Sequence, residues 1–281
     1  MPRTDWRRPP LEPLEEGLRR IRMTVAYDGQ YYNGWQRQPN GVGISDRIEQ
    51  EIQNMIGEKV TLIGSGRTDS GVHALAQVCH FDTFNQKIDG KVFAIALNRL
   101  LPSSIRIMES REVDGTFHSR YTAMGRTYRY YVKLEREMTP FDAKQVAKVR
   151  KFPDIELLNA YGAYIQGTHD FTTFTAVGDT STSRWRDVYE SYWTYETDRF
   201  GKKVLVYTIS GNAFLYKMIR SVVGTMLEFA EKGFDAAFFK EVMDSHDRKR
   251  SGRTAPPWGL YFFSITYDSE KYAWFEEQQS E

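Results

Sequence analysis

The sequence predicts an α+β fold with mainly antiparallel sheets, on three observations. Stretches that alternate apolar and polar residues are interspersed with stretches whose apolar residues recur every three or four positions. The two kinds do not follow one another in a regular strand–helix–strand rhythm, which argues against a doubly wound parallel sheet. The two halves of the chain carry similar sets of strands and helices, which points to two related α+β lobes, and 281 residues suit two domains or one large one.

Residues 1–19 are rich in Pro, Arg and Glu without a clear period and read as a flexible extension. Ile21, Met23, Val25 and Tyr27 then alternate with Arg22, Thr24 and Ala26, the period of a strand, which Asp28-Gly29 ends. After a loop over 33–41, Ile44, Ile48, Ile52 and Ile56 recur every fourth residue. That spacing predicts an amphipathic helix, with Ser45 placed to cap it and Gly57 to close it. A short strand over 59–63, a glycine-rich loop over 64–71 and a strand over 76–82 follow. A helix over 91–100, stopped by Pro102, and a strand over 104–108 complete the half. The second half reads as a strand over 126–134, a helix over 153–165 and strands over 185–194 and 203–210. A long helix over 214–232, a shorter one over 235–243 and a last strand over 259–267 end it. The implied organisation is an extension over 1–19, a lobe over 20–115 that carries the glycine-rich loop, and a lobe over 116–281.

Composition narrows the class. Hydrophobic residues make up 41% and charged residues 27%, which excludes a disordered, collagen-like or coiled-coil chain. No apolar run approaches the roughly 18 residues of a membrane span. The first twenty residues lack the apolar core of a secretory signal, and their acids argue against a mitochondrial transit peptide. One cysteine, Cys79, leaves no intrachain disulfide and fits a reducing, cytoplasmic compartment. With 38 basic against 37 acidic residues the net charge is +1, so a nucleic-acid surface has to be a local patch. Two stretches qualify. One is 246–253, with Arg248, Lys249, Arg250 and Arg253. The other is 120–133, where Arg126 and Arg129 stand among Tyr121, Tyr128, Tyr130 and Tyr131. Taken alone, each reads more simply as a charged loop or a solvated strand face.

Several common sites are absent. The 64–71 loop has Asp69 where a dinucleotide loop needs its third glycine, and there is neither a P-loop nor a G-x-S-x-G elbow. The five histidines form no metal-binding pair, and one cysteine builds no thiolate zinc site; His169-Asp170 reads as structural. Asp69 remains, in a tight loop beside Arg67. Asp-Ser-Gly is ordinary turn chemistry. A carboxylate kept ionised by a nearby guanidinium is also a nucleophile. On the long helix, Arg220 shares a face with Tyr216, Val223 and Leu227. A cation in that setting either finds an anion or extends its head to water.

Together these segments resemble the TruA family of tRNA pseudouridine synthases, from about Arg20 to Tyr267. The most specific piece is Gly66-Arg67-Thr68-Asp69-Ser70-Gly71-Val72-His73-Ala74, similar to the family's catalytic loop. Arg22 to Gly29 with Gly34-Trp35-Gln36-Arg37-Gln38 resembles its opening, and Arg126-Thr127-Tyr128-Arg129-Tyr130 its tyrosine motif. Gly167-Thr168-His169-Asp170-Phe171, the run from Phe214 to Arg220, and Thr254-Ala255-Pro256-Pro257-Trp258-Gly259-Leu260 resemble three further motifs, in the family's order. Ser70 departs from the alanine usual in the family.

The resemblance implies two RRM/ferredoxin-like α+β lobes forming a mostly antiparallel sheet with a central catalytic cleft. It implies an isomerase that converts uridine to pseudouridine at positions 38–40 of the tRNA anticodon arm, as a homodimer, without cofactor or metal. Carried over by residue, Asp69 is the nucleophile, Arg220 pairs with it, Tyr128 packs on the target base and Arg67 fills the space the flipped uridine leaves. The competing reading is a non-catalytic RNA-binding protein with RRM-like lobes, which needs neither Asp69 nor Arg220; its signature RNP run is absent. A glycoside hydrolase would ordinarily need a second catalytic carboxylate beside Asp69.

Overall fold

The computed structural model describes residues 13–37, 41–268, 270–272 and 275. In chain order its elements are β1 (Arg19–Tyr27), α1 (Ile44–Ile56), β2 (Ile63–Gly64), β3 (His73–Thr83), α2 (Val92–Leu100), β4 (Ile105–Val113) and β5 (Gly125–Leu134). Then come β6 (Ala147–Val149), α3 (Ile155–Ile165), β7 (Gly167–Asp170), β8 (Trp185–Thr197), β9 (Lys203–Gly211), α4 (Met218–Lys232), α5 (Ala236–Asp244) and β10 (Leu260–Thr266). The fold is α+β with mostly antiparallel strand pairing, as the sequence predicts. Residues 1–12 of the expected extension lie outside the described residues. The chain divides into two compact units, one of residues 13–124 with Phe262–Asp268, the other of Gly125–Tyr261 with 270–272 and 275.

In the first unit the strand order is β4-β1-β3-β10, with β2 on the flank of β3. β1 runs antiparallel to both β3 and β4. Ile21, Met23 and Val25 are fully buried, as their alternation requires, and so are Ile44, Ile48 and Ile52 on α1. Each such side chain contributes about 1.5–3 kcal/mol of transfer free energy. Ser45 does not cap α1. Gly43 holds the cap position, and the Asp46 carboxylate reaches back to accept its N–H at 2.9 Å. The strand expected over 59–63 shrinks to β2, because the Leu62 N–H donates to the Glu49 carboxylate at 2.8 Å instead of to a ladder. β4 outruns its expected end at 108 by five residues. Its polar continuation is an edge strand with a single neighbour, so burial leaves no period to read.

In the second unit the order is β5-β9-β8-β7, with β6 parallel to β5. β8 and β9 form a long hairpin paired from Val188↔Gly211 to Thr197↔Lys203, with a shift in register between Val188 and Glu190. Val204, Leu205, Val206, Tyr207 and Ile209 of β9 are buried. β7, the edge strand, is Gly-Thr-His-Asp and carries no hydrophobic signal. Only part of the 120–133 stretch faces solvent: Arg120 and Tyr121 are exposed and Arg129 and Tyr131 half-buried, whereas Tyr130 is fully buried, Tyr128 and Arg126 are 7% and 8% exposed, and Lys133 is 1% exposed. On a strand flanked on both edges, Arg126, Tyr128, Tyr130 and Lys133 belong to the packing.

α4 starts at Met218, four residues later than its apolar pattern suggests. Lys217 sits in the left-handed region at φ +57°. The turn before it is pinned from outside: the Tyr216 N–H donates to Asp179 Oδ2 at 2.7 Å and its carbonyl accepts the Ala176 N–H at 3.1 Å. Tyr216 is therefore not on the helical face of Arg220.

Candidate active site

Asp69 stands in the loop between β2 and β3, half-buried, with Arg67 exposed beside it. The loop is braced residue by residue. The buried Thr68 hydroxyl lies 2.9 Å from the Tyr27 hydroxyl, and its carbonyl accepts the Trp35 N–H at 3.3 Å. The Asp69 carbonyl accepts the Val72 N–H at 3.1 Å, closing a turn in which Gly71 adopts φ +78°. Ser65 Oγ donates to Gln77 Oε1 at 2.5 Å, and Gln77 Nε2 donates to the Gly66 carbonyl at 2.8 Å.

The opening motif is the other half of this brace. A Cβ on Gly29 would stand 2.0 Å from the Val72 carbonyl oxygen. One on Gly34, itself at φ +92°, would stand 2.3 Å from the Thr68 carbonyl oxygen. Only glycine lets the 29–35 segment lie against the catalytic-type loop. His73 Nδ1, 1% exposed as a side chain, accepts the Gly29 N–H at 3.1 Å and fastens the same junction. These supporting residues fall within the quoted motifs, but their partnership with the loop leaves no trace in spacing.

Tyr128 and Arg220 belong to the second unit. Tyr128 on β5 meets Phe214 edge to face, with centroids 5.4 Å apart and planes at 85°. Phe214 comes from the pinned turn before α4, so the late helix start supplies the ring that packs on Tyr128. Arg220, half-buried in the first turn of α4, donates from Nε to the Ala255 carbonyl at 2.9 Å, and its own carbonyl accepts the Ala255 N–H at 2.9 Å. It is tied to the chain rather than simply extended into water. Tyr130 lies near it: burial pushes that phenol well above its usual range, and the Arg220 charge opposes the shift.

The 252–259 segment is bound along α4. The Gly252 N–H donates to Thr225 Oγ1 at 3.0 Å and the Arg253 N–H to the Glu228 carboxylate at 2.9 Å. A Cβ on Gly224 would stand 1.9 Å from the Arg253 carbonyl oxygen, and one on Gly259 2.6 Å from the Tyr130 ring. The C-terminal motif therefore packs on the helix that carries Arg220 and on the strand that carries Tyr128.

The other candidates have local duties. Asp170 Oδ1 accepts from Thr172 N and Oγ1 at 2.8 and 2.6 Å, the structural role expected of His169-Asp170. Arg248 bonds Ser251, the Gly252 carbonyl and Thr254, and Arg250 bonds Glu241 at 2.7 Å. A cavity of about 420 Å³ beside β7 includes none of the four site residues in its lining. Among the described residues no cluster of three or more His, Cys, Asp or Glu side chains is arranged to hold a metal ion. Among them, too, no helix is long and apolar enough to cross a membrane.

The fold is a pair of α+β units; Asp69 stands on a braced loop of the first, and Tyr128 and Arg220 stand on β5 and α4 of the second. The family model described as tRNA pseudouridine synthase matches residues 23–122 and 163–268. The chain is 39% identical over 250 residues to tRNA pseudouridine synthase A of Acetivibrio thermocellus, covering 89% of this chain and all of that one. It is 40% identical over 250 residues to tRNA pseudouridine synthase A 2 of Clostridium perfringens, with the same coverage. It is 35% identical over 262 residues to tRNA pseudouridine synthase A of Treponema denticola, covering 92% and 96%. The chain belongs to the tRNA pseudouridine synthase family.

Proposed function

We propose that this protein isomerises uridine to pseudouridine at positions 38–40 in the anticodon arm of tRNA, as a cytoplasmic homodimer. Asp69 is the nucleophile, attacking C1′ of the ribose or C6 of the uracil. The C1′–N1 bond breaks, the base turns, a C1′–C5 bond forms, and the C5 proton is lost while N1 gains one. In this reading Arg220 pairs with the Asp69 carboxylate. Tyr128 offers its ring to the target base and its hydroxyl to the C5 proton. Arg67 takes the place of the flipped nucleotide; flipping costs a few kcal/mol, which contacts to the RNA offset. The chemistry requires that the detached base be retained and bulk water kept out until the new bond forms.

The observation that carries the reading is the Asp69 loop. A half-buried carboxylate is held on a turn fastened at Thr68, Asp69 and Gly71, inside a segment the family model matches. A turn with a merely structural aspartate would not need a second loop with two glycines pressed against it. RNA binding without catalysis gives no reason for this construction.

Asp69→Asn tests the assignment. It keeps the shape and removes the charge and the attacking oxygen. Tritium release from C5-labelled uridine in tRNA should fall by about a thousandfold or more, with tRNA binding in a gel shift largely retained. Turnover near wild type would remove Asp69 from the reaction. Joint loss of folding and binding would make it a turn residue.

A further inference from the structure

A second basic and aromatic surface stands at the opposite end of β5 and β9 from Tyr128. Phe200, in the turn between β8 and β9, is 45% exposed, and Phe141, in the loop before β6, is 66% exposed. The two rings lie side by side with centroids 5.6 Å apart and planes at 31°. The Arg199 guanidinium sits 4.8 Å from the Phe200 centroid.

The surface is built to be rigid. Lys133 of β5, 1% exposed, donates from Nζ to Asp142 at 3.0 Å and to Asp198 at 2.7 Å, one carboxylate from each loop. Asp142 also accepts the Thr139 N–H at 2.7 Å. Asp198 accepts the N–H groups of Phe200 and Lys202, both at 2.8 Å, and Gly201 completes the turn at φ +74°. Rings fixed in advance lose little freedom when a partner arrives. Lys133 pairs with both acids and leaves one negative charge in that group, which the three exposed cations at the tip, Arg199, Lys202 and Lys203, outnumber.

We propose that Phe141, Phe200 and Arg199 form an RNA-contact site that stacks an unpaired nucleobase of the substrate tRNA, with Lys202 and Lys203 facing its phosphates. The proposal rests on the tRNA reading above. Flat rings beside cations suit a base and its backbone, whereas an apolar peptide would have no use for three cations. Ile209 is the register partner of Tyr128 and lies six positions along β9 from Lys203, a span of about 20 Å. The stacked base is therefore remote from the target uridine and belongs to another part of the folded RNA.

The test is the Phe141→Ala/Phe200→Ala double variant of the full chain, with gel shifts on full-length tRNA and on an isolated anticodon-arm hairpin. Affinity for the tRNA should fall about tenfold, and its ratio to hairpin affinity should fall with it. The Phe141→Tyr/Phe200→Tyr variant should bind as the wild type does, and Arg199→Gln should lower the salt slope by about 1. Unchanged tRNA affinity, or an equal loss on both RNAs with an unaltered melting temperature, overturns the proposal. So does intact tRNA binding with a changed sedimentation coefficient, which assigns the surface to a second copy of the chain. A wild-type protein that binds tRNA with the predicted ratio but forms no pseudouridine would fail the enzymatic reading and leave this site standing.

Discussion

The two units position their key residues by the same device in different settings. In the first, Gly34 lets one loop touch the carbonyl of Thr68, next to Asp69; in the second, Gly224 lets the 253–255 segment touch the helix of Arg220. The Asp69 brace joins loops, and Asp69 itself stays half-exposed. The Arg220 brace joins a loop to a helix whose Val222, Val223 and Met226 are fully buried. A missing Cβ thus shapes a surface loop in one unit and is part of the core in the other, so the same substitution should fail differently in each.

The largest effects should come from adding those methyl groups. Gly224→Ala forces a Cβ within 1.9 Å of a backbone oxygen inside a packed helix. We expect a loss of about 3 kcal/mol or more in urea unfolding, since overpacking there must move the 253–255 segment. Gly34→Ala meets backbone at 2.3 Å and adds the strain of φ +92°. We expect a smaller loss of global stability, about 1–3 kcal/mol, and a larger loss of turnover, about a hundredfold, because the Thr68-Asp69 backbone must shift. If Gly34→Ala unfolds the chain while Gly224→Ala only slows it, the contrast between the units is wrong.

A second contrast is in acid. His80, fully buried in the first unit, has Nδ1 2.9 Å from Ser119 Oγ, and burial lowers its pKa to about 3. The folded state keeps the ring neutral while the unfolded chain protonates near pH 6.5. This stability is present above pH 6.5 and is lost as pH falls towards 3, at about 1.4 kcal/mol per pH unit. In the second unit, Asp142 and Asp198 are raised by burial, but the Lys133 ammonium and backbone N–H groups outweigh that and hold both below the usual range. Their contribution is present above about pH 4 and is lost only below it. Hydrogen exchange at pH 7 and pH 5 should show the first unit loosening first, and His80→Gln should flatten that slope. Equal loosening of both units would erase the distinction.

What the sequence reveals follows the same division. β1 and α1 are legible because one buried face imposes a period: Ile21, Met23 and Val25 in steps of two, Ile44, Ile48 and Ile52 in steps of four. β7 is not, because a polar four-residue edge strand has no buried face to repeat. The start of α4 is misplaced because Phe214 to Lys217 carry a helical apolar pattern while Asp179, distant in sequence, takes the Tyr216 N–H. Basic and aromatic residues on β5 suggest a surface patch, yet Lys133 answers carboxylates 9 and 65 residues away. Asp69, Arg67, Tyr128 and Arg220 emerge from motif order, whereas the glycines that brace them reveal their purpose only through contacts between distant segments.

The smallest effect should come from Ser70, the one position of the catalytic-type motif where this chain departs from the usual alanine. Its hydroxyl donates to the Tyr32 carbonyl at 3.2 Å from an exposed site, so it adds one more tie between the loop and the opening segment. A hydrogen bond contributes about 0.5–1.5 kcal/mol net, and solvent access at an exposed site favours the low end, since water can replace the lost donor at the carbonyl. The Val72 N–H to Asp69 bond and the Thr68 contacts do not involve this side chain. Ser70→Ala should therefore cost about 0.5 kcal/mol in urea unfolding and leave tritium release within about twofold of wild type. A tenfold fall in turnover with that same small loss of stability would mean that the hydroxyl, rather than the glycines and Thr68, sets the position of Asp69. The loop would then depend on one exposed side chain, and its resemblance to the backbone-braced helix of the other unit would disappear.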